Sequence, residues 1–280
     1  MTQKKLAGQV ALVTGGARGL GRGYALHLAS LGADVAIFDR NLQAAEVYAF
    51  ERKQMTAGSV TEEIEALGAR SLGLQVDVTD REAVTRGVAQ VVEGLGRIDV
   101  AVCNAGGGTV TFADERSDGN PSEGELGPVD ANTTGTASDC PQDMLTRVLE
   151  TNLMGCMYTC MAVAPYMKTQ RSGKIVTVSS VAGVEGAAGY HPYGTAKAAI
   201  IHYTSALAQD LGPHNINVNC IAPGIIRTGR LGDQRERAAR VALRRTGTIE
   251  DCAKVVEFLV TDLSDYVTGR TILIDGGLHR

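Results

Sequence analysis

Val10-Ala-Leu-Val-Thr14, followed at once by Gly15-Gly-Ala-Arg-Gly-Leu-Gly21, is the stretch from which the fold can be read. A short apolar run without polar alternation describes a strand covered on both faces. Leu20 to Leu31 then carries apolar residues at helical spacing, and Gly32 is a helix stop. A strand that turns through glycines into a helix brings bare backbone N–H groups to a helix N-terminus, where an anion is stabilised. Gly15, Gly19 and Gly21, with Arg18 and Leu20 between them, leave room for a pyrophosphate to approach the backbone. Asp39 lies eighteen positions beyond Gly21, at the end of the next apolar run, Asp34 to Asp39. A carboxylate there accepts both hydroxyls of an adenosine ribose and repels a 2′-phosphate, which points to NAD. Arg18 and Arg40 point the other way, since a guanidinium pairs with a 2′-phosphate; NADP is therefore the alternative cofactor.

Outward from this stretch the chain keeps alternating apolar runs with helical segments. Strands are expected at Ser71 to Asp77, Val100 to Asn104, Gly173 to Val178, Ile216 to Ile221 and Thr271 to Ile274, besides the two above. Helices are expected at Val60 to Leu67, Asp80 to Leu95 with Asp80 as N-cap, Met144 to Met167, Tyr193 to Leu211 and Glu250 to Leu259. Pro165 should kink or end its helix. Seven strands alternating with helices describe an α/β Rossmann fold, a doubly wound parallel sheet with helices on both faces. Residues 1–280 are read as one dinucleotide-binding and catalytic domain. The rhythm breaks twice, near 41–60 and near 107–142. The second break is rich in Gly, Ser, Thr, Asn and Asp and carries mostly acidic charge. Its composition describes a surface flap, with a lid or an assembly element as the alternatives.

With 27 basic and 31 acidic side chains the formal charge is −4, and the general electrostatic footprint of a nucleic-acid binder is missing. Apolar residues at 44% and charged ones at 21% describe a globular chain. No stretch approaches the length of a membrane span, and the polar N-terminus has no signal-peptide core. The six cysteines are scattered and form no Cys-x-x-Cys, so they read as small buried hydrophobes in a reducing cytoplasm. Cys156 and Cys160 can share a helix face, but two thiols without a nearby His make a poor zinc site. The Gly-x-Ser-x-Gly elbow, the Walker A pattern and His-Glu-x-x-His do not occur.

The glycine turn, taken with Tyr193-Gly-Thr-Ala-Lys197 far downstream, resembles the short-chain dehydrogenase/reductase family over nearly the whole chain, roughly 6–277. The resemblance implies an oxidoreductase that interconverts a secondary alcohol and its ketone with a nicotinamide cofactor, assembled as a homotetramer. It places Asp77 and Val78 at the adenine, and Asn104, Ala105 and Gly106 under the cofactor, with Cys103 where the family carries Asn. Pro223, Gly224, Ile226 and Thr228 match the segment beside the nicotinamide amide. Asn152 matches the Asn of the proton relay, and Ser180, rather than Ser179, matches the catalytic Ser. The 48 positions between Asn104 and Asn152 are about twice the family's spacing, which leaves the substrate class open.

The chemistry asked of these residues is the removal of one proton and one hydride, the hydride going to the cofactor. Tyr193 and Lys197 are four apart on a helix and so share a face. Nearby positive charge favours the phenolate, the form of Tyr193 that acts as base. Lys197 also anchors the ribose hydroxyls. Ser180 holds the reacting oxygen, and Asn152 positions a water that links Lys197 to solvent. The leading expectation is an NAD-dependent dehydrogenase. An NADP-dependent carbonyl reductase comes second, and a non-catalytic dinucleotide-binding regulator third. The pocket is expected from Ala182 to His191, from the arginine-rich segment Ile225 to Arg245, and from the flap. The expected partners are a small secondary alcohol or ketone and further copies of the chain, with neither nucleic acid nor membrane.

Overall fold

The structure is a computed structural model that describes residues 4–47, 49–107, 137–186, 191–228 and 235–278. The greater part of the 107–142 flap therefore lies outside the described residues. So do Tyr190 and the 229–234 part of the arginine-rich segment.

Seven strands form one sheet: β1 (Val10–Thr14), β2 (Asp34–Asp39), β3 (Ser71–Gln75), β4 (Val100–Cys103), β5 (Gly173–Val178), β6 (Ile216–Pro223) and β7 (Thr271–Ile274). The spatial order is β3-β2-β1-β4-β5-β6-β7 and every pairing is parallel. The order reverses between β1 and β4. In such sheets that is the crevice where ligands bind, outside the C-terminal strand ends. The helices are α1 (Gly19–Ser30), α2 (Ala49–Arg52), α3 (Val60–Ala66), α4 (Arg81–Leu95), α5 (Gln142–Leu149), α6 (Gly155–Gln170), α7 (Tyr193–Leu211), α8 (Arg235–Ala238) and α9 (Ile249–Val260).

Strand alternation divides the core between the two faces. Val10 and Leu12 pack with Val84, Val88 and Val91 of α4, and the same cluster takes in Cys160 and Val163 of α6 and Ile200 of α7. Ala11 and Val13 join the opposite cluster, with Tyr24 and Leu28 of α1, Ile64 of α3 and Val256 and Leu259 of α9. Residues buried on both faces leave no polar stripe along these strands, which is why they read as continuous apolar runs. Among the described residues no helix is long and apolar enough to cross a membrane.

Several boundaries differ from expectation. β3 ends at Gln75, so Asp77 and Val78 follow the strand instead of closing it. β4 stops at Cys103, because the Asn104 amide turns back to the Thr14 hydroxyl. β6 runs on to Pro223. The expected single helix from Met144 divides at a π-helical turn, Glu150–Met154, between α5 and α6. Pro165 does not end α6, which continues to Gln170. The residue whose carbonyl loses its partner there is Met161, 45% exposed and able to give that carbonyl to water. The buried face of Cys156, Cys160, Val163 and Met167 holds the helix on course.

The 41–60 insertion is tied down. Arg22 of α1 grips Glu63 of α3 through Nε and Nη2 at 2.7 and 2.6 Å, and also donates to the Gln54 carbonyl at 2.9 Å. Thr56 adds its N–H and hydroxyl to the same Glu63 carboxylate. Burial pushes that carboxyl upward. The bonds from Arg22 and Thr56 more than offset this and hold it below the usual glutamate range.

Candidate active site

The glycine turn joins β1 to α1. Its last glycine, Gly21, packs its Cα against the Gly15 carbonyl so closely that any Cβ would collide with it. Gly19 has φ +54°, and around its Cβ position only the Glu51 carboxylate comes within 4 Å. A side chain there would stand in the cleft. The N-terminus of α1 carries no side-chain cap and no acidic residue in its first turn. Open space and an uncapped helix N-terminus fit a pyrophosphate.

Asp39 stands beside this turn. Its Oδ2 accepts the Ala17 N–H and its Oδ1 the Asn41 N–H, both at 3.1 Å. A carboxylate has about four acceptor positions, so two remain for ribose hydroxyls. Arg40 is exposed and Arg18 half-buried. Asp77, at the surface, holds the following turn through the N–H and hydroxyl of Thr79, next to Val78, which is buried.

The floor of the cleft is fixed by Thr14, which sequence reasoning did not single out. Its buried hydroxyl accepts the N–H groups of Asn104 and Ala105 at 3.1 and 3.0 Å. Asn104 Nδ2 returns to the carbonyls of Thr14 and Gly15. The strand end and the glycine turn thus form one hydrogen-bonded unit, and Thr14 belongs to the stretch in which the glycines stand out.

On the far side, Tyr193 opens α7 and Lys197 follows one turn later. Lys197 is 3% exposed, donates from Nζ to the Val178 carbonyl at 2.9 Å, and lies 5.5 Å from the centroid of the Tyr193 ring. The two serines divide their work. Ser179 is buried and donates to the Lys197 carbonyl at 2.7 Å, fastening α7 to the end of β5. Ser180 remains partly exposed and accepts the Ala182 N–H at 3.2 Å as cap of the next turn. Of the two serines, Ser180 is the one whose side chain is not fully buried.

Asn152 sits in the π-helical turn, fully buried. Its Nδ2 donates to the carbonyls of Gly107 and Val148, and its Oδ1 accepts the Gly107 N–H at 3.0 Å. Gly106 lies between it and the lysine: the Cβ position of Gly106 is 2.5 Å from Asn152 Oδ1 and 3.3 Å from Lys197 Nζ. A π turn widens a helix locally and recurs at functional positions. Here it turns Asn152 toward residues forty-five positions earlier in the chain.

The segment after β6 completes the rim. Gly224 bonds through its N–H to Ile274, and Ile226, 3% exposed, bridges to Gly247. Thr228 is half-buried. The insertion also reaches this rim: the Phe50 ring lies 5.3 Å from the Arg227 guanidinium. Phe50 and Glu51 were not foreseen as neighbours of the cleft, because an aromatic and an acid in a long crossover carry no motif. His191 bonds to the exposed Thr195 hydroxyl.

A buried lysine four residues after a tyrosine thus lies on the same cleft as an uncapped glycine turn at the switch point of a parallel sheet. The model of the short chain dehydrogenase family matches residues 9–239. The chain belongs to that family. It is an alcohol dehydrogenase or ketone reductase acting on CH–OH groups. A cyclohexanol dehydrogenase of Rhodococcus sp. strain TK6 is 49% identical, covering 98% of this chain and 97% of its own. An L-rhamnose 1-dehydrogenase (NAD(P)(+)) of Sphingomonas sp. strain SKA58 is 34% identical over 99% and 98%. Among solved structures, an NAD⁺-bound xylitol dehydrogenase superposes with TM-score 0.79 at 33% identity, covering 98% of this chain and all of its own. The family's architecture agrees with the seven-stranded sheet seen here, and its cofactors are NAD or NADP.

Proposed function

We propose that this short-chain dehydrogenase oxidises a secondary alcohol to its ketone with NAD as hydride acceptor. Cyclohexanol, named for the Rhodococcus relative, is the first substrate to test. The observation that carries the reading is the buried Lys197 ammonium beside the Tyr193 ring, with Asn152 across Gly106. When bound, NAD supplies the acceptor for the hydride; the protein supplies the rest. Ser180 Oγ orients the substrate oxygen and stabilises its developing charge. Tyr193 Oη takes the hydroxyl proton as general base. Lys197 lies beside the Tyr193 ring, and its ammonium has donors beyond the Val178 bond with which to orient a ribose. Asn152 positions the water through which the proton leaves. Gly15, Gly19 and Gly21 of the turn, with Leu20 and Arg18, receive the pyrophosphate. Asp77 and Val78 border the adenine, Asn104 to Gly106 form the floor, and Pro223, Gly224, Ile226 and Thr228 border the nicotinamide.

The preference for NAD rests on Asp39, whose carboxylate lies against the turn with acceptor positions to spare. Arg18 and Arg40 support the second reading, an NADP-dependent carbonyl reductase. Fluorescence titration with NADH and NADPH separates the two without a substrate. Tighter NADH supports the first reading; tighter NADPH means the arginines outweigh the carboxylate. A cytoplasmic homotetramer belongs to the same reading. Met161 on α6 and Leu273 on β7 are exposed apolar side chains that a contact between copies would cover, and light scattering coupled to gel filtration reads the mass directly.

A further inference from the structure

Beneath the catalytic groups, Cys103 at the end of β4 meets Cys156 and Cys160 of α6. Their three Sγ atoms all lie within 4.8 Å of one another, and those of Cys103 and Cys160 are 3.6 Å apart. All three are buried and none is in a disulfide. Thiolates held at about 2.3 Å from a central ion stand about 3.8 to 4.0 Å from one another. The sulfurs are thus near ligating separation before anything binds. They converge from two elements that the fold already packs together.

The donor set and its surroundings select the ligand. Among the described residues no His or carboxylate joins the group, and an all-sulfur set favours a soft, thiophilic ion. The surrounding cluster is apolar, with Val163, Ile200 and Val218 among its members. Cys103, Cys156 and Cys160 are each at most 4% exposed. Uncompensated charge in such a place is costly. A monovalent ion on three thiolates leaves two negative charges and a divalent ion one, which the nearby Lys197 ammonium would have to balance; a trivalent ion leaves none and makes no demand on that lysine.

We propose that Cys103, Cys156 and Cys160 form a trithiol site for a trivalent thiophile of the arsenous acid class. Three As–O bonds break and three As–S bonds form. The three thiol protons leave with the three hydroxides as three waters, and no atom changes oxidation state. The incoming acid is small and neutral, so it reaches the core through local opening without carrying charge into it. Cys103 directly precedes Asn104, and Cys156 lies one helical turn beyond Asn152. The bound ion therefore ties together the strand and the helix that carry two groups of the cleft.

The test uses the full chain and arsenous acid as the probe. Native mass spectrometry should find one arsenic per chain, with the mass change of three lost waters. Cys140→Ser, outside the cluster, should leave this unchanged, whereas Cys103→Asn, Cys156→Ala and Cys160→Ala should each weaken binding about 100-fold or more. X-ray absorption at the arsenic edge of the unaltered protein should show three sulfur neighbours and no oxygen. Circular dichroism of each variant reports its fold, so lost binding is scored only in a folded chain. No arsenic on the unaltered protein, an oxygen retained on arsenic, or undiminished binding by Cys103→Asn would each overturn the proposal. So would uptake of cadmium chloride where arsenous acid is refused. Every readout is binding, so the outcome is independent of whether the alcohol and cofactor proposed above are correct.

Discussion

On the β1–β3 side of the cleft the groups that border it are mostly backbone: the amides of the glycine turn at the start of α1, with Asp39 as the nearby carboxylate. On the β4–β6 side they are side chains held by backbone, with Lys197 on the Val178 carbonyl, Asn152 on both groups of Gly107, and Ser179 on Lys197. The first side is built for a ligand that approaches closely and carries its own charge. The second brings an ammonium, a phenol and an amide together, the arrangement that the proposed proton transfer requires. Damage to the first side should therefore appear as lost affinity, and damage to the second as lost turnover.

That contrast can be broken by substitution. Lys197→Met removes the buried ammonium but keeps the length of the side chain. Turnover should fall about 10²- to 10⁴-fold in steady-state assays, with a smaller change in the NADH dissociation constant; equal losses in both would erase the distinction. Glu63→Ala tests the tie between α1 and the insertion, which lies away from the chemistry. Removing one partner of a buried ion pair should cost about 3 kcal/mol in urea unfolding. The sign with pH follows from the lowered carboxyl. The Glu63 contribution is fully present above the unfolded glutamate value of about 4.3, and it is lost as pH falls through the lower folded value. The alanine variant should therefore show a flatter stability profile below that pH. Gly21→Ala drives a Cβ into the Gly15 carbonyl. At about 1–3 kcal/mol of strain, NADH binding should weaken about 10- to 100-fold, with turnover at saturating cofactor nearly unchanged. Asp39→Asn keeps the shape and removes the charge that opposes a 2′-phosphate. The NADH-to-NADPH preference should move about 10-fold toward NADPH in the same titration, roughly 1.4 kcal/mol.

The same contrast explains what could be read from the chain alone. Backbone recognition is written contiguously: the glycines, Thr14 and the strand before them occupy one stretch, and the central strands announce themselves because both faces of the sheet are covered there. Side-chain recognition is assembled from distant positions. Asn152 was placed by its motif, but its bonds to Gly107 and the π turn that aims it depend on hydrogen bonding, which composition does not record. The continuation of α6 past Pro165 depends on which carbonyl faces water. The meeting of Cys103 with Cys156 and Cys160 is invisible in the spacing, since only the packing of α6 on β4 creates it. Phe50 and Glu51 reach the cleft because Arg22 and Glu63 pin the insertion, a pair forty-one positions apart.

The most direct test of the proposed chemistry is Tyr193→Phe, measured twice on the same preparation: oxidation of cyclohexanol with NAD⁺, and titration with NADH. Removing one oxygen atom should abolish turnover and leave NADH affinity within about 3-fold of the unaltered enzyme, a difference of under roughly 0.7 kcal/mol. Full turnover by the phenylalanine variant would contradict the assignment of Tyr193 as the base.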